Sequence, residues 1–127
     1  MTELKELYKC SICGNVVEIV HRGAQALVCC NQPMEKLEAK TEDEGKEKHL
    51  PLVEATDVGI RVRVGSIEHP MEAKHAIKFI EVLTYNQVLR AELEPGEKPV
   101  AEFAAKPEDV LAVREYCNLH GLWQTSK

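Results

Sequence analysis

The sequence predicts an all-β chain in which a small metal-bound module precedes a β-sandwich of about seven short strands. Three observations carry this. Four of the five cysteines fall before residue 31. A charged stretch follows at 38–48, and beyond it short runs with the period-two pattern of half-buried strands recur between turn-forming residues.

The module begins with Cys10-x-x-Cys13-Gly14, a metal-binding knuckle. Its two thiolates reach one ion across a tight turn, and Gly14 is suited to the left-handed conformation that closes it. The second pair, Cys29 and Cys30, is less usual. Adjacent side chains point to opposite sides of an extended backbone. Both therefore reach one ion only where the chain bends, and a distorted tetrahedral sulfur site is expected. Four thiolates in that array suit zinc or a single iron, which softness alone does not separate. A metal is needed in either case, because residues 1–37 are too few to be held by an apolar core. Leu4, Leu7, Ile12, Val16, Val17, Ile19, Val20, Leu27 and Val28 are expected to pack around the site.

Residues 38–46 contain Gly45 and no large apolar side chain, and read as a solvated linker to a second domain at 47–127. In that domain 59–64 alternates cleanly. Ile60, Val62 and Val64 share one face, and Arg61 and Arg63 the other. Similar runs lie at 77–84, 88–93, 100–104 and 110–116, with weaker candidates at 52–55 and 122–125. Asp57, Gly59, Asn86, Pro95, Gly96 and Pro107 supply the turns between them. Because Pro107 is followed by two acids, part of 107–116 also reads as a single helical turn.

The chain has 127 residues and a formal net charge of −5. That length suits one ordinary domain, or a very small module joined to a domain of roughly 90 residues. The acidic balance argues against nucleic acid or anionic lipid as partner, so any anion handled here is drawn by local positive charge. The N-terminus lacks a secretory pattern and no run approaches membrane-spanning length, which predicts a soluble cytoplasmic protein. In that compartment an odd number of cysteines reads as metal ligands or reactive thiols and not as a disulfide framework.

A second ligand set lies in the C-terminal part. His49, His69, His75, Cys117 and His120 each stand near proline or glycine, which places them on loops or strand ends. Any one of them alone reads as an ordinary surface histidine or a small buried thiol. As a set, with Cys117 and His120 close together before Gly121, they read as a metal site. His21 has no such company and reads as a surface residue. Four imidazoles and one thiolate are too many ligands for a typical structural zinc site, so iron is the better candidate. A square of nitrogens with the thiolate axial leaves one coordination position open, and an open position is what permits chemistry.

Taken together, Cys10-x-x-Cys13-Gly14, Cys29-Cys30-Asn-Gln-Pro33-Met34, Glu47-Lys48-His49, His69-Pro70-Met71 with His75, and Cys117-Asn118-x-His120-Gly121 resemble the desulfoferrodoxin family, the two-iron class of superoxide reductases. The resemblance covers nearly the whole chain. It implies a desulforedoxin-like N-terminal domain holding iron on four cysteines. It also implies an immunoglobulin-like sandwich whose reactive iron is held by four histidines and Cys117, and one-electron reduction of superoxide to hydrogen peroxide. A rubredoxin-like electron donor and a homodimer are implied in the same way. Lys78-Phe79 departs from the pattern, where a tryptophan-containing neighbourhood is expected. By the same resemblance, Lys48 supplies local positive charge for the anion and helps organise a proton-donating water. Glu47 occupies the open position after oxidation, and Cys117 donates electron density opposite the substrate. Without the motif, Lys48 reads as a solvated linker lysine and Glu47 as one acid among many. A zinc knuckle fused to a protein-binding sandwich, and a pure electron carrier, are the rival readings.

Overall fold

The computed structural model describes residues 1–42, 49–65 and 71–126. The chain divides into two compact units, Met1–Glu38 and Ala39–Lys127. Among the described residues all regular structure is β except for one 3₁₀ turn.

In the first unit β1 (Leu7–Lys9) is flanked by antiparallel β2 (Val16–Glu18) and β5 (Glu35–Lys36), while β3 (Val28–Cys29) and β4 (Gln32–Pro33) form a separate ribbon. Strands of two or three residues offer little apolar surface. Leu7, Tyr8 and Ile19 are buried, together with Cys10. The expected apolar wrapping is only partial: Val16 and Leu27 are half-buried, whereas Ile12 and Val28 are each 63% exposed and Val20 is 81% exposed, with Leu4 and Val17 also on the surface. A sheet this small has no second layer to cover both of its faces, which leaves the sulfur array to hold the unit together.

The second unit contains β6 (Pro51–Thr56), β7 (Gly59–Val64), β8 (Ile77–Leu83), β9 (Val88–Glu92), β10 (Val100–Phe103), β11 (Ala112–Cys117) and β12 (Gly121–Ser126). One sheet has the order β10-β7-β6 and the other β12-β11-β8-β9, with antiparallel pairing within each sheet. These are the seven strands expected of the sandwich. The segment at 107–116 divides into a 3₁₀ turn at Pro107–Asp109 and β11, so the helix-start signal and the strand pattern both act locally.

The alternation at 59–64 buries Ile60, Val62 and Val64, and these meet Ile77, Ile80, Val82, Val113 and Cys117 in one core. Glycine is required at position 59, where a Cβ would collide with the carbonyl of Phe103 on β10. The β8–β11 register shifts between Tyr116 and Cys117, so that Tyr116 faces Phe79 and Cys117 faces Ile77. This bulge places the extra residue on β8 and allows Ile77 and Ile80 both to join the core, facing Cys117, which lies on the inward face of β11 with Val113 and has no exposed surface. The start of β8 and the end of β11 thus meet at one end of their sheet.

Among the described residues, no helix is long and apolar enough to cross a membrane.

Candidate metal centres

Cys10, Cys13, Cys29 and Cys30 each offer a sulfur atom, and all four sulfurs lie within 4.8 Å of one another. Two backbone features bring them together. Gly14 has φ +81°, closing the turn after Cys13, and its N–H donates to the carbonyl of Cys10 at 2.9 Å. Cys30 and Asn31 have φ of +50° and +65°, so the backbone bends between the adjacent cysteines as their shared site demands. The Cys13 and Cys29 sulfurs are 3.5 Å apart, and those of Cys29 and Cys30 are 4.0 Å apart. A tetrahedron with metal–sulfur bonds of about 2.3 Å has edges of about 3.8 Å, so the array fits a single zinc or iron ion. All five cysteines of the chain are free of disulfides.

Protons are distributed unevenly over these thiols. The Cys13 N–H, 3.4 Å from the Cys10 sulfur, is the main influence drawing the Cys10 thiol down to about 6. Cys29 is pushed up to about 12, first by its contact with the Cys13 sulfur, and Cys30 is raised in the same direction by Cys13. Crowded sulfurs cannot all carry charge without a cation among them.

The second cluster comprises His49, His75, Cys117 and His120, with one ligand atom from each again within 4.8 Å of the others. His49 stands just ahead of β6, His75 just ahead of β8, Cys117 ends β11, and His120 lies in the turn into β12. Loops and strand ends of both sheets therefore converge as expected. The His120 Nδ1 is 3.1 Å from the His49 Nε2 and 3.8 Å from the Cys117 sulfur, so Nδ1 is the atom of that ring that faces the other donors and would hold a metal. Two neighbouring nitrogens of a square around a metal, each about 2.1 Å from it, lie about 3.0 Å apart. The His120 ring stands nearly perpendicular to those of His49 and His75, at 74° and 76°. Three imidazoles and a buried thiolate form a donor set suited to iron.

His69 falls in 66–70, and Glu47 and Lys48 in 43–48, outside the described residues. His21 is exposed, as expected.

Three residues support the cluster from outside it. The Ala76 N–H donates to Asn118 Oδ1 at 3.0 Å, and Asn118 Nδ2 donates to the Lys74 carbonyl at 2.9 Å, so one side chain ties the His75 loop to the Cys117 turn. Met71 anchors the start of that loop: its sulfur accepts the Ile77 N–H at 3.4 Å and its carbonyl accepts the Gly96 N–H at 2.8 Å. Trp123 stacks on His49 with centroids 4.6 Å apart and donates its indole N–H to the His120 carbonyl at 3.1 Å. Asn118 and Met71 sit inside the recognised motifs, whereas the place of Trp123 depends on strand pairing between distant segments.

The comparisons agree with this architecture. Residues 41–126 match the desulfoferrodoxin family model, and residues 2–37 match that of the desulfoferrodoxin N-terminal domain. A desulfoferrodoxin homolog of Archaeoglobus fulgidus is 53% identical, covering 98% of this chain and 99% of its own. The desulfoferrodoxin of Nitratidesulfovibrio vulgaris is 50% identical, covering 94% of both chains. Among solved structures, the superoxide reductase from Treponema pallidum has a TM-score of 0.80 at 28% identity and covers 98% of each chain. With both family models matched in order and half of its residues shared with these relatives, the chain belongs to the desulfoferrodoxin family.

Proposed function

We propose that this chain is a superoxide reductase with two mononuclear iron sites. The observation that carries the reading is the convergence of His49, His75 and His120 on the buried thiolate of Cys117 at one end of the sandwich. Family membership supplies the substrate. His69 completes the set as fourth imidazole, and Cys10, Cys13, Cys29 and Cys30 hold the other iron. Iron bound by the histidines and Cys117 supplies one electron, which with two protons converts superoxide to hydrogen peroxide.

The chain's own groups hold and tune that centre. Cys117 would hold the iron through its sulfur from the core side and would supply electron density to it. Lys48 would attract the anion and order a proton-donating water, and Glu47 would offer its carboxylate to the iron after turnover. Domains at 1–37 and 47–127 are part of this reading, supported by the division into compact units near residue 38, and within the linker read at 38–46 Lys40 is already paired with β12. A rubredoxin-like protein restores the reduced state, the chain works as a homodimer, and the five free thiols suit the reducing cytoplasm.

Metal analysis with a visible spectrum, followed by mixing of the reduced protein with pulsed superoxide, tests the proposal. Two irons per chain and oxidation of the second site near the diffusion limit are expected. Consumption of superoxide no faster than its spontaneous dismutation would overturn the reading. Lys48→Ala should slow the second-order step and weaken its ionic-strength dependence.

A further inference from the structure

Lys40 falls in the stretch read from sequence as solvated linker, yet in the structure it is part of the sandwich edge. It bridges in parallel to Trp123 on β12: its N–H donates to the Leu122 carbonyl at 2.9 Å, and the Gln124 N–H donates to the Lys40 carbonyl at 2.8 Å. With the backbone fixed on both sides, the side chain has a defined starting point. Its ammonium lies 4.9 Å from the centroid of the Trp123 ring and donates to the His120 carbonyl at 3.3 Å. The same carbonyl accepts the Trp123 indole N–H, so both of its lone pairs are engaged. Trp123 in turn stacks on His49.

A surface lysine of no consequence leaves its ammonium free in water. Here two independent contacts hold it, one to the backbone of a metal-ligating residue and one to the aromatic ring packed on another. We propose that Lys40 is a positioning residue of the second centre: its fixed positive charge raises the reduction potential of iron held by His49, His75, Cys117 and His120. This rests on the reading of that cluster as an iron site. A nearby cation opposes accumulation of positive charge on the metal and so favours the ferrous over the ferric ion. Cation–π attraction to Trp123 and the bond to His120 keep that cation at a constant place. The ammonium remains in contact with water, so its influence is partly screened by salt.

The test compares the iron-loaded full chain with Lys40→Met, which keeps the aliphatic stem, and Lys40→Arg, which keeps the charge. Redox titration of the second site should give a more negative midpoint potential in Lys40→Met and near-parental behaviour in Lys40→Arg. The difference should shrink as ionic strength rises. The chain has one tryptophan, so fluorescence reports on Trp123 without reference to activity. Its emission should change in Lys40→Met and return in Lys40→Arg. An unchanged emission in Lys40→Met would remove the contact, and an unchanged potential would remove its effect on the iron. Either result overturns the proposal while leaving superoxide consumption by the parent chain intact. Absence of iron from the second site of the parent chain would overturn the underlying reading, and this inference with it.

Discussion

Asn118 grips Ala76 from two sides: its side-chain oxygen accepts the Ala76 N–H at 3.0 Å, and its own backbone N–H donates to the Ala76 carbonyl at 3.3 Å. Ala76 follows the ligand His75 and Asn118 follows the ligand Cys117, so these bonds fix the spacing between two donors of one site. His75 is further held by reciprocal backbone bonds with Glu72, at 2.9 and 3.1 Å. The ligand loop is therefore ordered by its own short-range bonds and docked by Asn118.

Asn118→Ala should consequently disturb the second centre alone. The buried Ala76 N–H loses its acceptor, at a cost of about 1–3 kcal/mol, and the His75 loop loosens. Iron content should fall towards one ion per chain, with the sulfur-ligated site retained. Site-resolved metal analysis and thermal unfolding check this, and a fully loaded variant of parental stability would contradict it.

Trp123 offers a way to separate packing from hydrogen bonding. Trp123→Phe keeps a ring against His49 but removes the N–H bonded to the His120 carbonyl. A loss of about 1 kcal/mol is expected. Trp123→Ala removes a side chain that is 2% exposed and should cost about 3–5 kcal/mol. Denaturant midpoints of the two variants should differ accordingly. Equal losses would mean that the indole N–H, not the ring, dominates.

How far these features were legible in the sequence follows from the distance over which each is determined. Alternation at Ile60, Val62 and Val64 is a local pattern, and the strand there ends where the pattern ends. The ligands were legible through residue chemistry: cysteines and histidines beside turns stand out whatever the fold. The strands of the first unit were not, because two or three residues are too few to establish a period. Lys40 was misread because a polar neighbourhood resembles a linker, while its pairing with Trp123 joins segments more than eighty residues apart in the chain. Glu81 and Arg114 look like solvent-facing charges on their strands, yet both are buried and bonded to each other at 2.6 Å.

That last pair supplies a stability test away from either metal. Arg114 and Glu81 are register partners on β11 and β8, and Glu81 also meets Arg90 of β9 at 3.3 Å. Arg114→Met leaves a carboxylate 1% exposed with the more distant guanidinium of Arg90. A loss of about 3 kcal/mol is expected. Arg114→Met combined with Glu81→Leu should be more stable than Arg114→Met alone, since the orphaned charge is gone. Urea unfolding would show this, and additive losses would refute it.

Acid sensitivity of the first unit should trace in part to Glu6. The Lys36 ammonium, 2.9 Å away, and then the Glu3 N–H, 2.7 Å from the other carboxylate oxygen, hold its carboxyl below the ordinary value of 4.5. The folded chain therefore binds this proton less readily than the unfolded chain does. The resulting stabilisation is complete above the ordinary value and is lost as pH falls through the lower, folded one. Glu6→Gln should lower the melting temperature at pH 7, and the gap from the parent should close as the pH drops below 4.5. Taking the difference between the two chains cancels the acid-driven release of metal that both undergo. A gap that stayed constant across this range would show that the charge of Glu6 contributes nothing, and that its hydrogen bonds to Glu3 and Tyr8 survive equally well with an amide.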